Sequence, residues 1–257
     1  MSEMRSAHPP GSIRGEKVNT PEGPAWTKQR LAWACRISLT ADRTDLRLPV
    51  GVLATELGIS ARTVRRWVHA AGTDMPAMGT QRWERIRQLL TPPPSQTRQE
   101  SLDSAYALEA LTTITSPDPD DVASGWRARR WLEPHLVSTV ALPAVSVLQL
   151  AIARAEPDRV TPLKRRGDLT DFTVVPTKFH ATLLANQVLS SLAAWRIQPH
   201  PQRLPTGRSR CWADDAPSLD LAAAATSLGV RAAPSLSPEP YAPGGTQRRR
   251  QRRNSPR

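Results

Sequence analysis

Residues 50–72 read Val-Gly-Val-Leu-Ala-Thr-Glu-Leu-Gly-Ile-Ser-Ala-Arg-Thr-Val-Arg-Arg-Trp-Val-His-Ala-Ala-Gly. The pattern predicts two short helices around a tight turn. Gly58 falls where the first helix must end, and glycine accepts the left-handed backbone that such a reversal needs. Ser60 is placed to cap the second helix. Leu53, Ala54 and Leu57 form one apolar face before the turn, Ala54 being small enough for close approach, and Ile59 plugs the corner. Val64, Trp67, Val68 and Ala71 recur at helical spacing after it. Gly72 offers a stop.

Once that buried face is subtracted, Arg62, Arg65, Arg66 and His69 share the opposite side, with Ser60, Ala61 and Thr63 near the helix start. A guanidinium fork matches the two acceptors of guanine in the major groove and also neutralises phosphate. About twenty residues here resemble the helix-turn-helix superfamily. Ala54, Gly58, Ile59, Val64 and Trp67 stand where that family keeps small, turning and core residues. The resemblance implies that Ser60, Ala61, Arg62, Thr63, Arg65, Arg66 and His69 face double-stranded DNA. The bland alternative is a helical hairpin with a solvated basic face. Clustering of the charge on the second helix, beside a turn of this kind, favours DNA.

The charge of the whole chain has the same polarity of arrangement. The 257 residues carry +12, made of +7 over 1–99, −1 over 100–246 and +6 over 247–257. Nearly all of the basic charge is arginine, the lysines being Lys17, Lys28, Lys164 and Lys178. With abundant Ala and Pro, this fits a GC-rich coding bias, so arginine content alone carries no function. Cys35 and Cys211 are isolated thiols, as expected of a reduced, cytoplasmic protein. No apolar run reaches the roughly 20 residues of a membrane span, and residues 1–20 have no apolar core of a signal peptide. A cytoplasmic, nucleoid-associated location is expected.

The expected fold is mainly α. Residues 1–24, rich in Pro and Gly, read as a disordered arm. Residues 25–91 read as the helix-turn-helix domain of three to four helices, with flanking helices at 25–39 and Thr80–Leu90. Residues 92–100 read as a linker, 101–230 as a second helical region and 231–257 as a disordered, Pro/Arg-rich tail. Within 101–230 the expected helices are Leu102–Leu111, Val122–Glu133, Pro143–Ala155, Pro176–Arg196 and Leu219–Leu228, with one short strand at Asp171–Val175. The Pro176–Arg196 stripe is the candidate face for a homodimer, although ordinary core is the simpler reading.

Three basic runs lie beyond the head. Arg127, Arg129 and Arg130 accompany Trp126 and Trp131. Such interleaving can stack on single-stranded bases, but a core helix with a charged outer side is the reading preferred here. Lys164, Arg165 and Arg166 read as a solvated loop. Arg248, Arg249, Arg250, Arg252 and Arg253 lie in a segment without apolar residues, which cannot fold alone. They are expected to give sequence-independent, salt-sensitive contact with nucleic acid.

The sequence holds no catalytic motif, no phosphate-cradling glycine loop and no histidine spacing for a metal. No cofactor, metal or catalytic residue is expected, and the chain reads as a DNA-binding protein rather than an enzyme. Its expected role is transcription regulation or replicon maintenance. In size and layout the chain also resembles the terminal proteins of actinobacterial linear plasmids and chromosomes. That resemblance implies an alternative role: binding telomeric DNA, priming replication from a hydroxyl side chain and staying covalently attached to the 5′ end. It also implies a replication or telomere-binding protein partner. No priming motif carries over to a numbered residue.

Overall fold

In the computed structural model, the described residues are 23–41, 48–69, 78–115 and 124–230. Four helices come first: α1 (Lys28–Leu39), α2 (Val50–Leu57), α3 (Ala61–His69) and α4 (Thr80–Leu90). The long α5 (Pro94–Ile114) and the short α6 (Ser124–Ala128) follow. Then come β1 (His135–Leu142), β2 (Val147–Arg154), α7 (Pro157–Arg166), β3 (Asp168–Val175), α8 (Lys178–Ser191), β4 (Cys211–Ala213) and α9 (Leu221–Ser227). The strands form one antiparallel sheet in the order β3-β1-β2-β4.

The sheet corrects the mainly α expectation: the chain is mixed α/β. The segment 143–155, expected to be helical, is instead the turn of a hairpin followed by β2. Val147-Leu-Gln-Leu-Ala-Ile-Ala-Arg154 is apolar at both parities because both faces of the sheet are covered. A strand buried on both faces loses the alternation that distinguishes it from a helix. One face places Leu136, Val140, Val147 and Ala151 under α7, in a cluster with its Val160 and Leu163 that continues into the helices of the head. The other places Val137, Leu150 and Val175 against Ala181, Leu184, Ala185 and Val188 of α8. The two alanines let α8 lie close to the strands.

Other elements differ in extent from the expectation. Residues 94–114 form one helix, so most of the segment read as a linker is helical, with Pro94 at its first position. The helix expected at Val122–Glu133 is reduced, among the described residues, to Ser124–Ala128. Lys164, Arg165 and Arg166 form the last turn of α7 rather than a loop, where cations complement the helix dipole. Gly167 follows because a Cβ there would lie 2.0 Å from the Ala141 carbonyl oxygen. The arm at 1–22 and the tail at 231–257 lie outside the described residues.

Head and body share a core. Leu31, Trp33, Ile37, Leu53, Val64, Trp67, Ile86 and Leu90 belong to one buried cluster with the first sheet face. Backbone bonds cross the junction from Gln198 N to Leu90 O (2.7 Å) and from His200 N to Ile37 O (2.9 Å). Arg203 donates to the Thr40 carbonyl and hydroxyl, both at 2.7 Å. Arg30, only 3% exposed, donates to Asp215 at 2.5 Å. Its guanidinium carbon lies 5.7, 6.0 and 5.2 Å from the ring centres of Trp26, Trp33 and Trp195.

On the far side of the body, α5 packs on α8. Asn186 donates to Glu100 O (2.7 Å) and Ser104 Oγ (2.9 Å), and Arg196 makes two 2.7 Å bonds to the Glu100 carboxylate. Removing one member of a buried ion pair leaves the other charge without compensation. Arg30→Ala should therefore lower stability by about 3–5 kcal/mol, with a single cooperative transition in urea. A biphasic curve, or a loss under about 1 kcal/mol, would show that the head and body do not depend on this contact.

Candidate nucleic-acid interface

The geometry of residues 50–69 follows from their chemistry. Gly58 ends α2 at φ 61°, ψ 36°, in the left-handed region. Its amide reaches Thr55 O at 3.2 Å, and the Ile59 amide reaches Ala54 O at 3.0 Å, satisfying carbonyls that the helix end would leave open. Ser60 Oγ accepts from the Thr63 amide at 3.2 Å and caps α3. The Ser60 and Thr63 hydroxyls are also 2.9 Å apart, so the two are tied to each other at the start of α3.

Leu53, Val64 and Trp67 are buried, and Ala54, Leu57 and Ile59 pack against the same cluster. That burial fixes which side of α3 faces outward. Arg62, Arg65 and Arg66 are exposed, and among the described residues none of them has an ion pair. Ala61 and Thr63 are half-buried at the helix start. The carboxylate of Glu56, the acidic residue within 50–69, lies 3.8 Å from Arg85 of α4. Among the described residues, the arginine face of α3 thus has no carboxylate paired to it. His69 closes α3, but its side chain lies outside the described residues, as do Arg248, Arg249, Arg250, Arg252 and Arg253.

The body supplies different material. Burial pushes the Cys35 and Cys211 thiols up to about 12, so neither is a thiolate at neutral pH. Burial also holds His135 and His180 below the usual histidine range. Among the described residues no three His, Cys, Asp or Glu side chains cluster to hold a metal ion. None of the described helices is long and apolar enough to cross a membrane. Of the basic runs, Arg166 is occupied within the fold, bonding Gln149 Oε1 at 2.9 Å. Arg129 instead joins Arg154, Lys178 and Arg210 around a cavity of about 610 Å³ between α5, α8 and β2. Sequence spacing gives no sign of that grouping, since its members are brought together only by the fold. No protein-family model, curated protein or solved structure matches the chain.

The turn itself can be tested. A Cβ on Gly58 would meet nothing within 4 Å, so any cost of adding one comes from the backbone conformation alone. Gly58→Ala should destabilise by about 1–2 kcal/mol, and Gly58→Asn by less, because asparagine tolerates the left-handed region better. Urea unfolding reads this, and equal stability of Gly58→Ala and the parent would contradict the turn.

Proposed function

We propose that the chain reads double-stranded DNA through α3, with the exposed Arg62, Arg65 and Arg66 turned to the groove. The observation that carries this reading is the division of α3 itself. One side is fixed by Leu53, Val64 and Trp67, and the other presents three exposed arginines without ion pairs among the described residues. A solvated helix face usually mixes both signs of charge. This one has a single sign, on the second helix of a capped, glycine-turned pair.

In proteins of this build the start of the second helix enters the major groove. Ser60, Ala61 and Thr63 stand at that start, small enough to let the backbone approach phosphate. One head touches few base pairs, so selectivity calls for two copies on a two-fold site, and a homodimer belongs to the proposal. The arginine tail adds grip of a different kind, favouring any nucleic acid and weakening steeply with salt. A protein with this task works in the cytoplasm on the nucleoid, in transcription regulation or in maintaining a replicon.

Binding to a selected duplex, followed by footprinting, tests the assignment. Arg62→Ala and Arg65→Ala should each weaken specific binding by about 1–3 kcal/mol. Removing 247–257 should lower affinity for all sequences alike and flatten the salt dependence. Unchanged footprints in both arginine variants would remove α3 from the interface.

A further inference from the structure

The cavity between α5, α8 and β2 gathers three cations, Arg129, Lys178 and Arg210, without an ion pair among the described residues. Arg154 also lines it but is held by Glu156 at 3.2 Å. The acidic group on the wall is Asp103, which accepts from Gln99 at 2.8 Å. Burial, together with Arg129 and Arg210, pushes the Lys178 ammonium below the ordinary lysine range, with Asp103 opposing only in part. Like charges brought together in a half-enclosed space cost stability unless an anion joins them.

The surrounding structure holds these cations in place. Lys178 Nζ sits 3.8 Å from the centre of the Trp131 ring, and the Arg129 guanidinium carbon sits 5.1 Å from it. The Lys178 amide donates to Trp131 O at 2.8 Å, locking the start of α8 to that turn. Arg130, between Arg129 and Trp131, has φ 58° without being glycine. Its side chain is clamped by Glu133 at 2.7 Å and Glu156 at 2.8 Å. A strained residue held by two carboxylates fixes the directions of both neighbours.

The cavity also has an apolar side and a neutral donor. Tyr106 is 47% exposed, high for a tyrosine ring packed beside Trp126 and Phe179. Its hydroxyl accepts from Trp126 Nε1 at 2.8 Å, which leaves its own proton to donate. Ile152 and Phe179 continue the apolar wall. A volume of about 610 Å³ is far more than a lone phosphate fills and lies within the range of small-molecule sites.

We propose that this cavity binds a nucleoside phosphate, with Arg129, Lys178 and Arg210 on the phosphate and the base or sugar against Tyr106 and Ile152. The nucleotide is either free or part of a single strand, since phosphate and ring are common to both. The site is separate from α3, so neither proposal rests on the other.

Calorimetric titration of the full chain tests it, using thymidine 5′-monophosphate, thymidine, inorganic phosphate and a short oligothymidylate. Thymidine monophosphate should bind one saturable site, about tenfold or more tighter than thymidine or phosphate alone. Lys178→Gln, Arg129→Ala and Arg210→Gln, on three separate segments, should each weaken it by about tenfold. Arg66→Ala should leave it unchanged. Tighter binding of the oligonucleotide than of the mononucleotide identifies a strand as the source, and equal or weaker binding identifies the free nucleotide. The proposal is overturned if thymidine monophosphate does not saturate, if phosphate alone binds as tightly, or if folded cavity variants titrate like the parent.

Discussion

Two buried guanidiniums tie the halves of this protein together across a shared apolar core, Arg203 of the body on Thr40 and Arg30 of the head on Asp215. Arg30 projects from α1 into a space bounded by Trp26 and Trp33 of the head and Trp195 of the body, and it meets Asp215 beyond β4. A guanidinium is unusually suited to that position. It is less strongly hydrated than an ammonium and its flat faces accept aromatic rings. Trp33, Cys35 and Ile37 on the same helix extend the contact into the apolar cluster shared with the sheet. Because α1 also packs on α3 and α4, the direction of the arginine face is set by the body as well as by the head. The exposed side of α3 is thus held in place by both parts of the fold.

The charge of the molecule then separates by purpose. On α3 it is exposed and arranged on one side of a helix, which suits a groove. Around Lys178 it is half-enclosed and set beside aromatic and aliphatic surface, which suits a small anion carrying a ring. At Glu100 and Arg196 it is buried and paired, which ties α5 to the chain after α8. Cationic side chains therefore stand in three different settings, decided by whether a carboxylate, a ring or water stands next to them.

Much of the head was legible because its signals are local. Gly58, Ser60 and the Val64/Trp67 spacing each act within one turn of their own position, and α4 and α8 follow from apolar spacing alone, α4 being preceded by Gly79 without a side-chain cap. The sheet was not legible for two physical reasons. Its central strands are covered on both faces, so β2 shows no alternation. Its hairpin turn also lacks the usual glycine or asparagine: Ser146 takes the positive φ of 50°. Without that punctuation, the run from Pro143 onward resembles an amphipathic helix. Strand β3 was legible in part: the expected Asp171–Val175 is its second half, and its start at Asp168 was missed. The cationic cavity was hidden for another reason. Arg129 reads locally as a charged helix surface, and only the packing of α8 on the sheet brings Lys178 to it.

The proposed role of α3 stands or falls on whether its arginine face recognises base pairs in duplex DNA. Selection of the full chain against a library of random-sequence duplexes tests it most directly, followed by methylation of guanine N7 in the enriched pool. The expected result is enrichment of a short guanine-containing site, arranged as two half-sites if the protein acts as a dimer, and loss of binding when those guanines are methylated. A pool retained without enrichment, or an enriched site indifferent to methylation of its guanines, would contradict it.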